Sequence, residues 1–200
     1  AGLTAWSALV KEARIGPAST VLILGTGGVS IFALQFARLL GARTIVTSSS
    51  EEKLARAKSL GADLTINYTE RPSWEKEVYR MTAGEGVDLV IEVGGSGTLE
   101  KSIRSVRPGG TISLIGVLAG GSGELNLYPV LMQNIRIQGI VVGHRESFEE
   151  MNRALELHAL HPVVDRVFPF AASVAAFEYL KSMAHFGKVC IEVKHESSPG

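Results

Sequence analysis

Hydrophobic positions fall into short runs separated by amphipathic stretches. Leu3, Trp6, Leu9 and Val10 mark a helical stripe over residues 3–13, which Ile15-Gly16-Pro17 stops. Val21-Leu22-Ile23-Leu24 is a continuous apolar run ending at Gly25, the pattern of a strand covered on both faces. A helix over 28–40 closed by Gly41, a strand over 44–47 and a helix over 50–60 closed by Gly61 follow. Leu64-Thr65-Ile66-Asn67 is a weaker strand that suits a sheet edge. A helix over 73–82, a loop at Gly84 and Gly86, a strand over 87–93 and a helix over 97–106 continue the alternation. Pro108-Gly109-Gly110 predicts a turn into a strand over 111–115, then a short helix over 128–133 and a sixth strand over 135–142. Strands alternating with helices are the signature of βαβ units with right-handed crossovers. The fold class is therefore α/β, a Rossmann-type, doubly wound, parallel six-stranded sheet.

A seam lies near residues 143–145. Beyond it the pattern predicts a helix over 148–158, a strand over 163–168, a helix over 173–183 and a strand around Cys190. The expected division is a main unit over 1–160, a carboxyl-terminal segment over 161–194 and a disordered tail over 195–200, which carries no apolar side chain.

Composition narrows the functions. Twenty basic and twenty acidic residues cancel, so there is no electrostatic case for nucleic acid or an acidic membrane surface. The single cysteine, Cys190, excludes an internal disulfide and a thiolate metal cluster. It sits in the alternating stretch Lys188–Val193 and reads as a small core residue rather than a reactive thiol. No apolar run approaches the ~18 residues of a membrane span and no signal pattern opens the chain, which predicts a reducing, cytoplasmic setting.

The strongest chemical signal is Leu24-Gly25-Thr26-Gly27-Gly28-Val29-Ser30, which leaves a strand and opens a helix inside a βαβ unit. Gly25 suits a tight turn, and Gly27 lets a pyrophosphate approach the backbone. The N–H groups of Gly28 and Val29 would then face the phosphates at the positive end of the helix dipole. Ser30 stands where a third small residue is wanted for helix–strand packing. About twenty residues on, where an NAD enzyme places Asp or Glu against the adenosine ribose, the chain reads Thr47-Ser48-Ser49-Ser50. Ser49-Ser50-Glu51-Glu52 fits a capping box, which accounts for both glutamates structurally. With no carboxylate to repel it, a 2′-phosphate could be held by serine hydroxyls and Lys53, although Lys53 taken alone reads better as a solvated lysine. Gly94-Gly95-Ser96-Gly97 and Gly116 follow the fourth and fifth strands, as ligand-facing glycines or as turns.

In these motifs the chain resembles the medium-chain dehydrogenase/reductase superfamily, in its zinc-binding alcohol dehydrogenase and quinone oxidoreductase-like branch. The resemblance is carried by Ala1–Trp6, Gly25–Ser30, Leu60-Gly61-Ala62-Asp63 with Ile66-Asn67-Tyr68, Gly86-Val87-Asp88, Arg107–Gly110 and Gly187-Lys188-Val189, in family order and over almost the whole chain. It implies strand order 3-2-1-4-5-6. It also implies cofactor contacts at Thr4 near the nicotinamide, at Thr26, Gly27, Gly28 and Val29 on the pyrophosphate, and at Ser48, Ser49, Lys53 and Tyr68 around the adenosine ribose. Val93, Gly94 and Gly95, with Ile115, Gly116 and Val117, would follow the nicotinamide half, and Val141 and Val142 would meet the carboxamide. The resemblance implies NADP(H) as the preferred cofactor, with NAD possible, and a homodimer through the sixth strand.

Relatives carry a GroES-like catalytic domain ahead of the matching stretch, and that domain holds their catalytic zinc ligands. The expectation is thus no catalytic residue and no zinc site in this chain, which would be inactive alone. The carboxyl-terminal segment would lack the partner it packs on in relatives. The five histidines read as surface or core residues. Two other functions stay open: a catalytically inactive nucleotide-binding or dimerisation module, and an S-adenosylmethionine methyltransferase, which would want the missing acid.

Overall fold

A computed structural model describes residues 1–117 and 120–193. The tail over 195–200 lies outside the described residues. Helix α1 (Gly2–Trp6) runs on into a π-helical stretch, Ser7–Glu12. Then come β1 (Thr20–Leu24), α2 (Gly28–Leu39), β2 (Arg43–Ser48), α3 (Glu51–Ser59), β3 (Leu64–Asn67) and α4 (Trp74–Met81). They are followed by β4 (Val87–Glu92), α5 (Leu99–Ser105), β5 (Val106–Leu114), α6 (Tyr128–Met132) and β6 (Arg136–Gly139). The chain closes with α7 (Arg145–Leu157), β7 (Val164–Pro169), α8 (Ser173–Lys181) and β8 (Lys188–Glu192). Six strands form one parallel sheet in the order β3-β2-β1-β4-β5-β6, and β7 pairs with β8 in a second, two-stranded parallel sheet.

The apolar run of β1 is explained by cores on both faces of the sheet. Val21 and Ile23 pack with Leu89, Ile91, Trp6 and Phe36 on one side. Leu22 and Leu24 pack with Val90, Ile112, Trp74 and Val78 on the other. Period-two alternation thus divides one strand between two cores. The order reverses at β1, which has β2 on one side and β4 on the other. Such a switch opens a crevice beyond the carboxyl ends of the strands.

Three local expectations need correction. First, the Pro108-Gly109-Gly110 turn lies inside β5 as a bulge, where pairing jumps from Val87↔Val106 to Leu89↔Thr111. Asp88 holds the irregularity, accepting from Arg107 Nε and from the Thr20 amide, each at 2.7 Å. Second, the sixth strand is shorter than 135–142, because β5 ends at Leu114 and leaves Val141 and Val142 unpaired with it. Val142 instead turns in the left-handed region, at φ +55°. Third, the helix cap is Ser50, whose hydroxyl accepts from the Lys53 amide at 3.3 Å, while Glu51 accepts from Asn67 at 2.8 Å. The helix begins one residue later than a Ser49–Glu52 box requires, so the reciprocal glutamate bond is replaced by a bond to β3.

The carboxyl-terminal segment packs in part on the main unit of this chain. Phe186 is buried in the main core, with the Arg56 guanidinium 4.2 Å above its ring. Arg56 also pairs with Asp165 at 2.8 Å, and the Tyr179 hydroxyl donates to the same carboxylate at 2.7 Å. Phe170, Val174 and Phe177 of the same segment are exposed.

Candidate functional site

The crevice at the switch point is a cleft of about 750 Å³, within the range of small-molecule sites. Its floor is the turn from β1 into α2. Gly25 adopts φ +70°, which suits a residue without a Cβ, and its amide donates to Thr47 Oγ1 at 3.3 Å. The Ser30 hydroxyl donates to the Leu24 carbonyl at 2.7 Å and pins the helix to the strand. Serine here supplies by a hydrogen bond what a third glycine would supply by close packing. Gly27 is the N-cap of α2 and has no side chain to cap it. The first amides of the helix, from Gly28 onward, therefore have no intrahelical acceptor and stand at the positive end of the dipole. A Cβ on Gly27 would meet nothing nearer than His185 Nε2 at 3.9 Å, so the space in front of the turn is open.

The carboxyl-terminal segment crosses this opening. Gly187 donates its amide to the Thr26 carbonyl at 2.9 Å, forming an isolated bridge with the phosphate-type loop. Ser182, Met183 and His185 line the cleft. The Lys53 ammonium donates to the Met183 carbonyl at 2.6 Å, so it is a tether to this segment rather than a solvated lysine. Burial, and then the Lys53 charge, push the His185 pKa down, and its buried Nδ1 has no hydrogen-bond partner. Lys53 itself is lowered, chiefly by burial. Lys53, Lys101 and His185 all line the cleft, and no Asp or Glu does so among the described residues.

Glu92, fully buried at the end of β4, sits behind the cleft wall. Its Oε1 accepts from the amides of Gly94 at 2.8 Å and Gly95 at 3.2 Å and from Thr98 Oγ1 at 2.6 Å. Ser102 Oγ donates to the other oxygen. The next loop is packed against this one: a Cβ on Gly116 would lie 2.1 Å from the Val93 carbonyl oxygen, so only glycine fits.

Thr26, Gly27, Gly28, Val29, Ser48, Ser49, Lys53, Tyr68, Val93 and Gly94 all line the cleft. Thr4 is buried in α1, Gly95 is buried behind Gly94, and neither is part of the lining. Ile115, Gly116, Val117, Val141 and Val142 also stand outside it, with Val141 fully at the surface. Sequence reasoning missed His185, Met183, Trp74, Thr98 and Lys101 as lining residues and Glu92 behind them. The Gly187-Lys188 motif two residues beyond His185 was the available signal for that histidine.

Fold and cleft define the class, a Rossmann-type α/β domain with an open cleft at the start of α2. A family model described as zinc-binding dehydrogenase matches residues 28–161, and the chain belongs to that family. It is 47% identical over 199 residues to a zinc-type alcohol dehydrogenase-like protein of Schizosaccharomyces pombe, covering 96% of this chain and 58% of that protein. The crystal structure of an NAD-dependent alcohol dehydrogenase superposes with TM-score 0.90 at 38% identity, over 96% of this chain and 56% of that one. A mycobacterial protein complexed with NADPH superposes with TM-score 0.85 at 26% identity, over 96% and 62% respectively. The chain thus spans little more than half the length of these relatives. Among the described residues no group of three or more His, Cys, Asp or Glu could hold a metal, and no helix is long and apolar enough to cross a membrane.

Proposed function

We propose that the chain is the cofactor-binding part of an oxidoreductase and binds NADP(H) in preference to NAD(H). The carrying observation is a cleft lined by two lysines and a histidine, with no carboxylate among the described residues, at the uncapped start of α2. A pyrophosphate fits the open space before Gly27, held by the amides of Gly28 and Val29. Ser48, Ser49, Lys53 and Tyr68 would surround the adenosine ribose and its 2′-phosphate. Val93, Gly94 and Gly95 would follow the nicotinamide half, with Ile115, Gly116 and Val117 stacked behind. Thr4, Val141 and Val142 would reach the nicotinamide from beyond the cleft lining.

The bound cofactor supplies hydride chemistry at nicotinamide C4, toward an alcohol or carbonyl, or a quinone or enone. The chain's part is to orient it and exclude water; no proton donor is assigned to it, and among the described residues there is no zinc ligand set. The relatives' names, alcohol dehydrogenase among them, support the oxidoreductase reading, and the NADPH complex of one supports the cofactor. Calorimetric titration with NADPH, then assay with aldehydes and quinones, tests both parts. Micromolar binding without turnover is expected. Absence of any dinucleotide binding would sink the reading, and steady-state NADPH oxidation would refute the assignment of no catalytic group.

A further inference from the structure

We infer that Glu92 is a positioning residue that sets the backbone of Gly94 and Gly95 against the nicotinamide half of the dinucleotide, an inference that rests on the reading above. The carboxylate is fully buried, and among the described residues it accepts from four donors and pairs with no cation. Three of those donors belong to the loop that follows its own strand. The loop therefore does not choose its conformation by packing alone. Oε1 gathers the Gly94 and Gly95 amides and the Thr98 hydroxyl to one point. Gly94 and Thr98 line the cleft, so this point fixes the wall that faces the ligand.

The side of the cleft assigns the affected half of the ligand. In a sheet ordered β3-β2-β1-β4-β5-β6, the β2 side takes the adenosine and the β4 side takes the nicotinamide nucleotide. Glu92 ends β4, and its backbone carbonyl also receives the amides of Ile115 at 2.9 Å and Gly116 at 3.2 Å. One residue thus ties both loops on the nicotinamide side. Nothing in this network reaches Ser48 or Lys53.

Two substitutions separate positioning from bulk. Glu92→Met keeps length and volume but removes the acceptor of two amides and of the Thr98 and Ser102 hydroxyls. Glu92→Gln keeps an oxygen for those donors and presents its amide to Ser102, whose hydroxyl can accept instead. Calorimetry with NADPH and with adenosine 2′,5′-bisphosphate reads the two halves of the site. Glu92→Met should weaken NADPH about ten-fold or more, leave the bisphosphate within about two-fold, and be largely rescued by Glu92→Gln. Equal weakening of both ligands, unchanged NADPH binding, or no rescue overturns the inference.

Amide hydrogen exchange of the unaltered chain decides the matter even if Glu92→Met fails to fold. The Gly94 and Gly95 amides should be strongly protected without ligand, and exchange at the rate of an open loop would overturn the proposal. An unaltered chain that binds the bisphosphate but not NADPH also counts against Glu92. One that binds neither fails at the earlier, dinucleotide reading.

Discussion

Replacing Ser48 by aspartate should reverse the cofactor preference. Ser48 is buried at the carboxyl end of β2, with its hydroxyl accepting from the Ser50 amide at 3.3 Å. A carboxylate there keeps that bond and offers a second oxygen to a ribose 2′-hydroxyl, worth about 1 kcal/mol to NADH. Against NADP(H) it faces a phosphate of roughly two negative charges. At about 5 Å, and even with the dielectric constant of water, the repulsion is about 2 kcal/mol, close to a thirty-fold loss. The two effects together move the preference by about 3 kcal/mol. Lys53 should favour NADP(H) by less, about 1–2 kcal/mol, because its ammonium must first leave the Met183 carbonyl it now contacts. Calorimetry of NADPH and NADH against Ser48→Asp and Lys53→Met measures all of this. The preference should invert in the first variant, and only NADPH should weaken in the second. Equal losses for both cofactors in Lys53→Met would show that the lysine merely tethers the carboxyl-terminal segment, and the phosphate assignment would be wrong.

Phe186→Ala should cost about 3–5 kcal/mol in urea unfolding, since the ring fills the main core beneath Arg56; a loss under about 1 kcal/mol would show that the segment is not anchored there. Burial acts to raise the Asp165 pKa, but the Tyr179 hydroxyl and Arg56 outweigh it and the net shift is downward. Its stabilisation is therefore fully present above the unfolded value near 4 and is lost as pH falls through the folded value. Tyrosine fluorescence should report loosening of the carboxyl-terminal segment below about pH 4, and Asp165→Asn should flatten that acid dependence; an unchanged acid profile would count against the cluster. The exposed edge of β6 and the fully exposed Val141 beside it should support a two-fold dimer, with Val141→Asp shifting the mass to monomer in sedimentation at an unchanged melting temperature. A monomeric mass for the unaltered chain at high concentration sinks that expectation.

The sequence by itself determined the sheet and the phosphate-type turn. Val21–Leu24 read as a strand covered on both faces, and Gly25–Ser30 after it read as a strand-to-helix corner or a ligand turn at that corner. These are local matters, settled by periodicity and by the conformations open to each residue. The missing acid after β2 was legible for the same reason, because its place is counted along the chain from the motif.

What the tertiary structure decided depends on residues distant in sequence. His185 looked isolated until the bridge between Gly27 and Gly187 brought it to the cleft. Lys53 looked solvated until Met183 supplied a carbonyl. Glu92 read as the end of a strand, and only the fold of the following loop and α5 gathers four donors around it. The sixth strand stopped short because β5, its partner, ended at Leu114, which no pattern within residues 135–142 could reveal. Pairing partners and buried polar contacts are set by topology, and a hydrophobic pattern carries the strand but not the neighbour that satisfies it.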